Sequence, residues 1–187
     1  MIDNRLAIAY IYTDATKALA ASVIPVAEHY CAEHGYHLAH QEVPYSTPQL
    51  SFKMLEMVEK VFSSADVDYV WMLNADTIIM SSNPVHTLIP KDAFFIIEED
   101  IRRSFIVKRS ANWEDLRDYC YGMRLVYDDL YDAISSYNRK KHRPKIHLLR
   151  TEAQVGSMFN LTDTPEMPMS KRIRAFKEFA DLLKTNG

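Results

Sequence analysis

Asn74 and Asp76 stand one residue apart where an apolar run breaks, in the stretch Tyr69-Val70-Trp71-Met72-Leu73-Asn74-Ala75-Asp76-Thr77-Ile78-Ile79-Met80. A carboxylate and a carboxamide so placed offer two oxygen ligands to a hard divalent cation, Mn²⁺ or Mg²⁺, which would in turn hold phosphates. The run is preceded by Asp66 and Asp68 and is rich in β-formers, so it predicts a strand buried on both faces. In open α/β sheets, ligands gather at the carboxyl ends of strands. Other candidates share that kind of position. Tyr12, Thr13 and Asp14 close an apolar run that begins at Leu6, Lys53 opens an amphipathic segment, and Glu98, Glu99 and Asp100 follow the apolar run 94–97. Each has a plainer alternative. Asn74 and Asp76 could serve a turn or a cap, Thr13 and Asp14 a helix cap, Lys53 a solvated helix charge, and the three acids an exposed turn.

The elements that would carry these residues alternate in type. Residues 6–12 predict a first strand and the alanine-rich residues 15–33 a helix, with Pro25 a point of strain and His34-Gly35 its stop. Residues 36–43 predict a second strand. Leu50, Met54, Met57, Val58 and Val61 recur at helical spacing. Further strands are expected over 69–73, 94–97 and 104–107. Helices are expected over 112–121, 125–137, 151–159 and 173–183, with 138–145 a basic connector. Strands alternating with helices predict an α/β layered fold, three layers around a mostly parallel central sheet.

The chain of 187 residues is long enough for one domain with a substantial core, and residues 1–187 are read as a single unit. A net charge of −3 implies no whole-chain affinity for polyanions. No window reaches the roughly 20 apolar residues of a membrane span. The first residues enter a strand-like run without the basic start of a secretory signal, so the expected location is cytoplasmic. Cys31 and Cys120 lack metal-site spacing and read as free thiols. Only four glycines are present and none builds a phosphate loop, so any nucleotide must be held by other means. The basic segment 139–145, with Arg102, Arg103, Lys108, Arg109, Arg150, Lys171, Arg172 and Arg174, could form a positive face for a diphosphate or a polyanionic acceptor, against the plainer reading of a solvated surface.

The order of these phrases resembles a known family, the GT-A-fold glycosyltransferases, and within it the group of galactosyl-, mannosyl- and xylosyltransferases with an Asp-x-Asp motif. Tyr30-Cys31-Ala32-Glu33-His34-Gly35-Tyr36 is similar to that group's helix-ending Tyr-Ala-x-x-His-Gly-Tyr phrase. Ser51-Phe52-Lys53, followed by a helix and then by Trp71-Met72-Leu73-Asn74-Ala75-Asp76, resembles its Trp-Lys-Ile and Trp-Leu-Asp-Ala-Asp phrases. Phe105-Ile106-Val107-Lys108-Arg109-Ser110-Ala111-Asn112-Trp113 looks like its Phe-Leu-Ile-Arg-Asn-Ser-x-Trp segment, and Glu152-Ala153-Gln154 like its acid-glutamine step. The ordered set spans residues 5–161.

That resemblance implies a GT-A-like fold and transfer of a sugar from a nucleotide-sugar donor, a UDP-sugar foremost, to a hydroxyl-bearing acceptor, with DNA or another polymer within range. It implies donor contacts from Tyr12, Thr13, Asp14, Lys53, Asn74, Ala75 and Asp76, with Tyr10 beside the base and ribose at the end of the first strand, and with Mn²⁺ or Mg²⁺ on Asp76 and Asn74. It assigns the acceptor to Glu98, Glu99, Arg102 and Arg103. Catalytic roles fall to Gln154, Glu152 and Asp100, with Gln154 matching the polar residue that retaining relatives place beneath the anomeric carbon. Three departures stand out. The first aspartate of Asp-x-Asp is Asn74, so one charge is lost. Ile101-Arg102-Arg103 replaces small residues. The late metal-binding histidine has no match in order, since His142 and His147 precede Gln154. Two other classes remain open: a glycosyltransferase-like binding subunit without turnover, and a metal-dependent nucleotidyltransferase.

Overall fold

In the computed structural model, residues 5–79, 82–90, 93–98, 104–141 and 146–149 are described. Six strands form one sheet: β1 (Leu6–Thr13), β2 (His37–Val43), β3 (Tyr69–Asn74), β4 (Phe95–Glu98), β5 (Ser104–Lys108) and β6 (Ile146–Leu149). Their spatial order is β2-β1-β3-β5-β4-β6. The pairs β1–β2, β1–β3 and β4–β6 are parallel, and β5 alone runs antiparallel to both of its neighbours. The expected mostly parallel α/β sandwich is therefore present, with one reversed strand inside it.

Alternation along each central strand feeds two separate cores. Ala7, Ala9 and Ile11 of β1, Val70 and Met72 of β3, and Phe105 and Val107 of β5 face one side. There they meet α2 (Lys53–Ser64), α3 (Ala111–Met123) and α4 (Leu130–Lys141) through Leu55, Val58, Trp113, Leu116 and Tyr137. Leu6, Ile8 and Tyr10 of β1 and Tyr69, Trp71 and Leu73 of β3 face the other side. They meet α1 (Lys17–His34) through Leu19, Val23, Ala27 and Tyr30, and also Ile78, Ile79 and Val85 from the segment that follows β3. Strands apolar on both faces belong in the middle of such a sheet, and β1 and β3 hold that place. β2, whose residues are mostly exposed or half-buried, lies at the edge.

The helices begin and end for local reasons. α1 runs through Pro25 and stops at Gly35, whose φ of 70° is the left-handed conformation glycine adopts at least cost. Ser110 caps α3, its hydroxyl accepting from the Trp113 amide at 3.3 Å. Trp113 Nε1 donates to Glu59 at 2.7 Å and Arg117 bridges to the same carboxylate at 2.8 Å, joining α3 to α2. Two expectations shift. The helix expected over 125–137 starts at Leu130, because residues 124–126 form a turn after α3, and it runs on through Lys141, so Asn138 to Lys141 are helix rather than connector. β6 is an element the sequence did not announce. Four residues are too few to show periodicity, and what makes them a strand is pairing with β4. No helix among the described residues is long and apolar enough to cross a membrane.

Candidate functional site

The parallel strands β2, β1 and β3 end side by side, their axes about 4.8 Å apart in such a sheet. This brings the first two sets of candidates to one edge. Val43 lies opposite Thr13, and Ile11 opposite Asn74. Asn74 is the last residue of β3, and Ala75 and Asp76 form the turn beyond it. The turn closes where the Thr77 amide donates to the Asn74 carbonyl at 3.0 Å. Ala75 and Thr77 are buried and Asn74 and Asp76 half-buried, so the two oxygen-bearing side chains alternate with the two that anchor the turn.

The residues at the end of β1 divide in role. Thr13 is buried and its amide donates to the Thr16 hydroxyl at 2.9 Å, opening a 3-10 turn over Asp14–Thr16 before α1. The Asp14 carboxylate accepts from the Tyr45 amide at 2.9 Å, so it ties the loop after β2 to the end of β1 and does not cap α1. Tyr12 is half-buried, its ring centroid 6.1 Å from that of His40 on β2. Lys17, the first residue of α1, bridges to Glu42 at 2.8 Å and fastens that helix to β2.

Lys53 opens α2, as expected, and is half-buried. Its ammonium sits 2.8 Å from Glu56, and it lines a cleft of about 260 Å³ with Gln49, Phe52, Tyr121 and Arg124. Gln49 has φ 52°, the one left-handed residue other than glycine among those described, and its amide donates to the Arg124 carbonyl. Lys53 therefore belongs to the helical face of the sheet, beside the end of α3. Burial pushes the Tyr121 phenol up to about 12, with Glu56 and Glu59 adding to the shift, so it stays protonated at neutral pH.

Glu98 ends β4, its backbone in register with Leu149. Glu99, Asp100, Arg102, Arg103, Glu152 and Gln154 lie outside the described residues. Some cations of the expected positive face have partners within the fold. Lys108 pairs with Tyr69, at the end of β3 opposite to Asp76, and sits 5.6 Å over the Tyr69 ring. Arg109 donates to the Phe62 and Ala65 carbonyls at 2.5 and 3.0 Å. Lys140, on α4, lies 5.4 Å over the Tyr119 ring. These cations serve the fold where they are.

Among the described residues, no group of three or more His, Cys, Asp or Glu side chains could hold a metal ion. Asp76 and Asn74 alone do not make a protein cage. They fit the mode in which a cation takes one carboxylate, a neutral oxygen and the phosphates of a substrate, which is how Mg²⁺ is commonly held. Tyr10, expected beside the base and ribose, plays a structural part that sequence reasoning did not foresee. It is fully buried in β1 and its hydroxyl donates to the Thr77 carbonyl at 3.3 Å, directly behind the Asp76 turn. A tyrosine among Leu6, Ile8 and other apolar residues was the available signal, since a buried phenol needs a partner.

By sequence the chain matches no protein-family model and no curated protein. By structure it resembles a glycosyltransferase involved in the glycosylation of the major capsid of PBCV-1, with a TM-score of 0.73 at 12% identity, covering 92% of this chain and 98% of that one. It also resembles the WbbM bifunctional glycosyltransferase in its apo form, with a TM-score of 0.54 at 11% identity, covering 96% of this chain but 45% of that one. At these identities the likeness fixes the fold, and that fold is the GT-A glycosyltransferase fold.

Proposed function

We propose that this chain is a glycosyltransferase that moves a sugar from a nucleotide-sugar donor to a hydroxyl group of an acceptor. The observation that carries the reading is the turn after β3, which holds half-buried Asn74 and Asp76 at the carboxyl edge of the sheet, beside the end of β1. Departure of a nucleoside diphosphate develops negative charge that something must meet. A divalent cation, Mn²⁺ or Mg²⁺, supplies that stabilisation when bound. Asp76 would hold it with its carboxylate and Asn74 with its amide oxygen. Tyr12, Thr13 and Asp14 line the neighbouring strand end, where base and ribose would lie. Lys53, at the start of α2, would offer a cation to the donor. The resemblance in sequence supports a UDP-sugar, retention of configuration through Gln154, and an acceptor bound by Glu98, Glu99, Arg102 and Arg103. A polymer such as DNA remains within the acceptor range.

Loss of the first carboxylate of the Asp-x-Asp pattern favours one second reading, a subunit of this fold that binds the donor without turning it over. Isothermal titration with a panel of nucleotide sugars, with and without Mn²⁺, tests the main reading. Mn²⁺-dependent binding followed by transfer or donor hydrolysis is expected. Binding without turnover selects the second reading. A folded protein that gives no heat with any donor rejects both, and pyrophosphate release from a nucleoside triphosphate would point to nucleotidyl transfer instead.

A further inference from the structure

The segment that follows Asp76 is held to the α1 side of the sheet by phenol and imidazole groups. Tyr10 in β1 donates to the Thr77 carbonyl at 3.3 Å. Tyr30 in α1 donates to the Asn83 carbonyl at 2.6 Å and accepts from the Val85 amide at 2.8 Å. His34 Nε2 meets the Ser82 carbonyl at 2.9 Å, and the Tyr36 hydroxyl meets His86 Nδ1 at 2.6 Å. The first of these differs from the rest in place. Thr77 is bonded on both sides, its amide to the Asn74 carbonyl and its own carbonyl from Tyr10. Asp76 precedes it directly, so those two bonds constrain the backbone torsions that aim the Asp76 side chain.

Tyr10 is poorly explained by packing alone. It is in register with Leu73, it is completely buried, and its own face of β1 is otherwise filled by Leu6 and Ile8. A phenylalanine would fill nearly the same space with no hydroxyl to satisfy. Burial pushes the phenol well above its ordinary pKa, so the hydroxyl remains a donor at any working pH.

We propose that Tyr10 is a positioning residue for the cation turn: its buried hydroxyl, bonded to the Thr77 carbonyl, holds residues 74–77 in the shape that presents Asp76 and Asn74 to a divalent cation and the donor diphosphate. This rests on the transferase reading above. Tyr10 touches neither the cation nor the donor and acts through the backbone of Thr77.

The test titrates wild type, Tyr10→Phe and Tyr30→Phe with Mn²⁺ in the presence of UDP, reading free Mn²⁺ by electron paramagnetic resonance and stability by thermal melting. Tyr10→Phe is expected to weaken Mn²⁺ binding roughly tenfold, the scale of one hydrogen bond to a buried carbonyl. Tyr30→Phe removes two bonds from the same segment further along and is expected to lower Tm at least as much while leaving Mn²⁺ affinity unchanged. Unchanged affinity in Tyr10→Phe, or equal weakening in Tyr30→Phe, overturns the proposal. Amide exchange on wild type gives a second measurement should Tyr10→Phe not fold. Mn²⁺ with UDP is expected to slow exchange at Asp76 and Thr77 and not at Val85, and uniform or absent slowing overturns the proposal. A wild type that binds no Mn²⁺ removes the cation reading itself, and the positioning role falls with it.

Discussion

The two faces of the sheet are built on different principles. On one, α2, α3 and α4 cover Ala7, Ala9, Val70, Met72 and Val107 by apolar packing, and polar links from Glu59 to Trp113 and Arg117, Tyr119 to Ser136 and Tyr137 to Asp115 join the helices to one another. On the other, α1 covers only part of the surface, and the segment after β3 covers the rest with Ile78, Ile79, Val85 and Ile89. The described part of that segment, 77–79 and 82–90, holds little regular structure beyond a 3-10 turn over Val85–Leu88, so its backbone groups need side-chain partners. Tyr10, Tyr30, His34 and Tyr36 provide them. The helical face is a support, where a lost contact lowers stability without reaching the candidate site. The tethered face carries the candidate site, and there a single hydroxyl can reach a functional side chain.

Substitutions should separate these two roles. The largest stability effect belongs to the helical face. Trp113→Ala removes a buried ring and one of the two donors to Glu59, and is expected to cost about 3–5 kcal/mol in denaturant unfolding while any surviving folded protein keeps its Mn²⁺ affinity. On the tethered face, Asp76→Ala is expected to weaken Mn²⁺-dependent UDP binding of the folded protein at least about a hundredfold, since groups that merely orient metal ligands already cost about 10–100-fold. Wild-type affinity in that variant would remove Asp76 from the site. Gly35→Ala, at the end of α1, meets no atom within 4 Å, so only the left-handed backbone opposes it. Its expected cost is about 1 kcal/mol, seen as a small drop in Tm without change in binding. The smallest effect concerns the two thiols, one on each face. Burial pushes both Cys31 and Cys120 up to about 12. At pH 8 the reactive thiolate is therefore on the order of one part in ten thousand, and both should resist thiol reagents until the protein opens. Cys120 is fully buried and Cys31 is 4% exposed, so Cys31 on the tethered face should label first. The reverse order would mean that the helical face opens more readily.

Much of the fold was legible. β1, β3 and β5 could be read because an apolar run on both faces has few other homes in a chain of this size. The first two helices could be read from helical spacing and from a glycine stop. The bounds of α4 could not, since residues 124–129 and 138–141 carry no decisive propensity and α4 is placed by packing of Leu130, Ile134 and Tyr137 on the sheet. Asn74, Asp76, Tyr12, Thr13 and Lys53 were legible as candidates by type and position. Asp14 looked like a helix cap and proved to hold Tyr45, a partner 31 residues away that no local pattern reveals.

The sequence by itself determined which segments are apolar on one face or two, where a carboxylate follows a strand, and the order of the phrases that resemble a glycosyltransferase. Local chemistry and periodicity suffice for those. Only the tertiary structure decided that Thr13 and Asn74 end neighbouring strands, that Lys108 and Arg109 lie at the other end of β3, and that Tyr10 reaches the Thr77 carbonyl. Those facts depend on strand order and register, which arise from contacts between residues far apart in the chain.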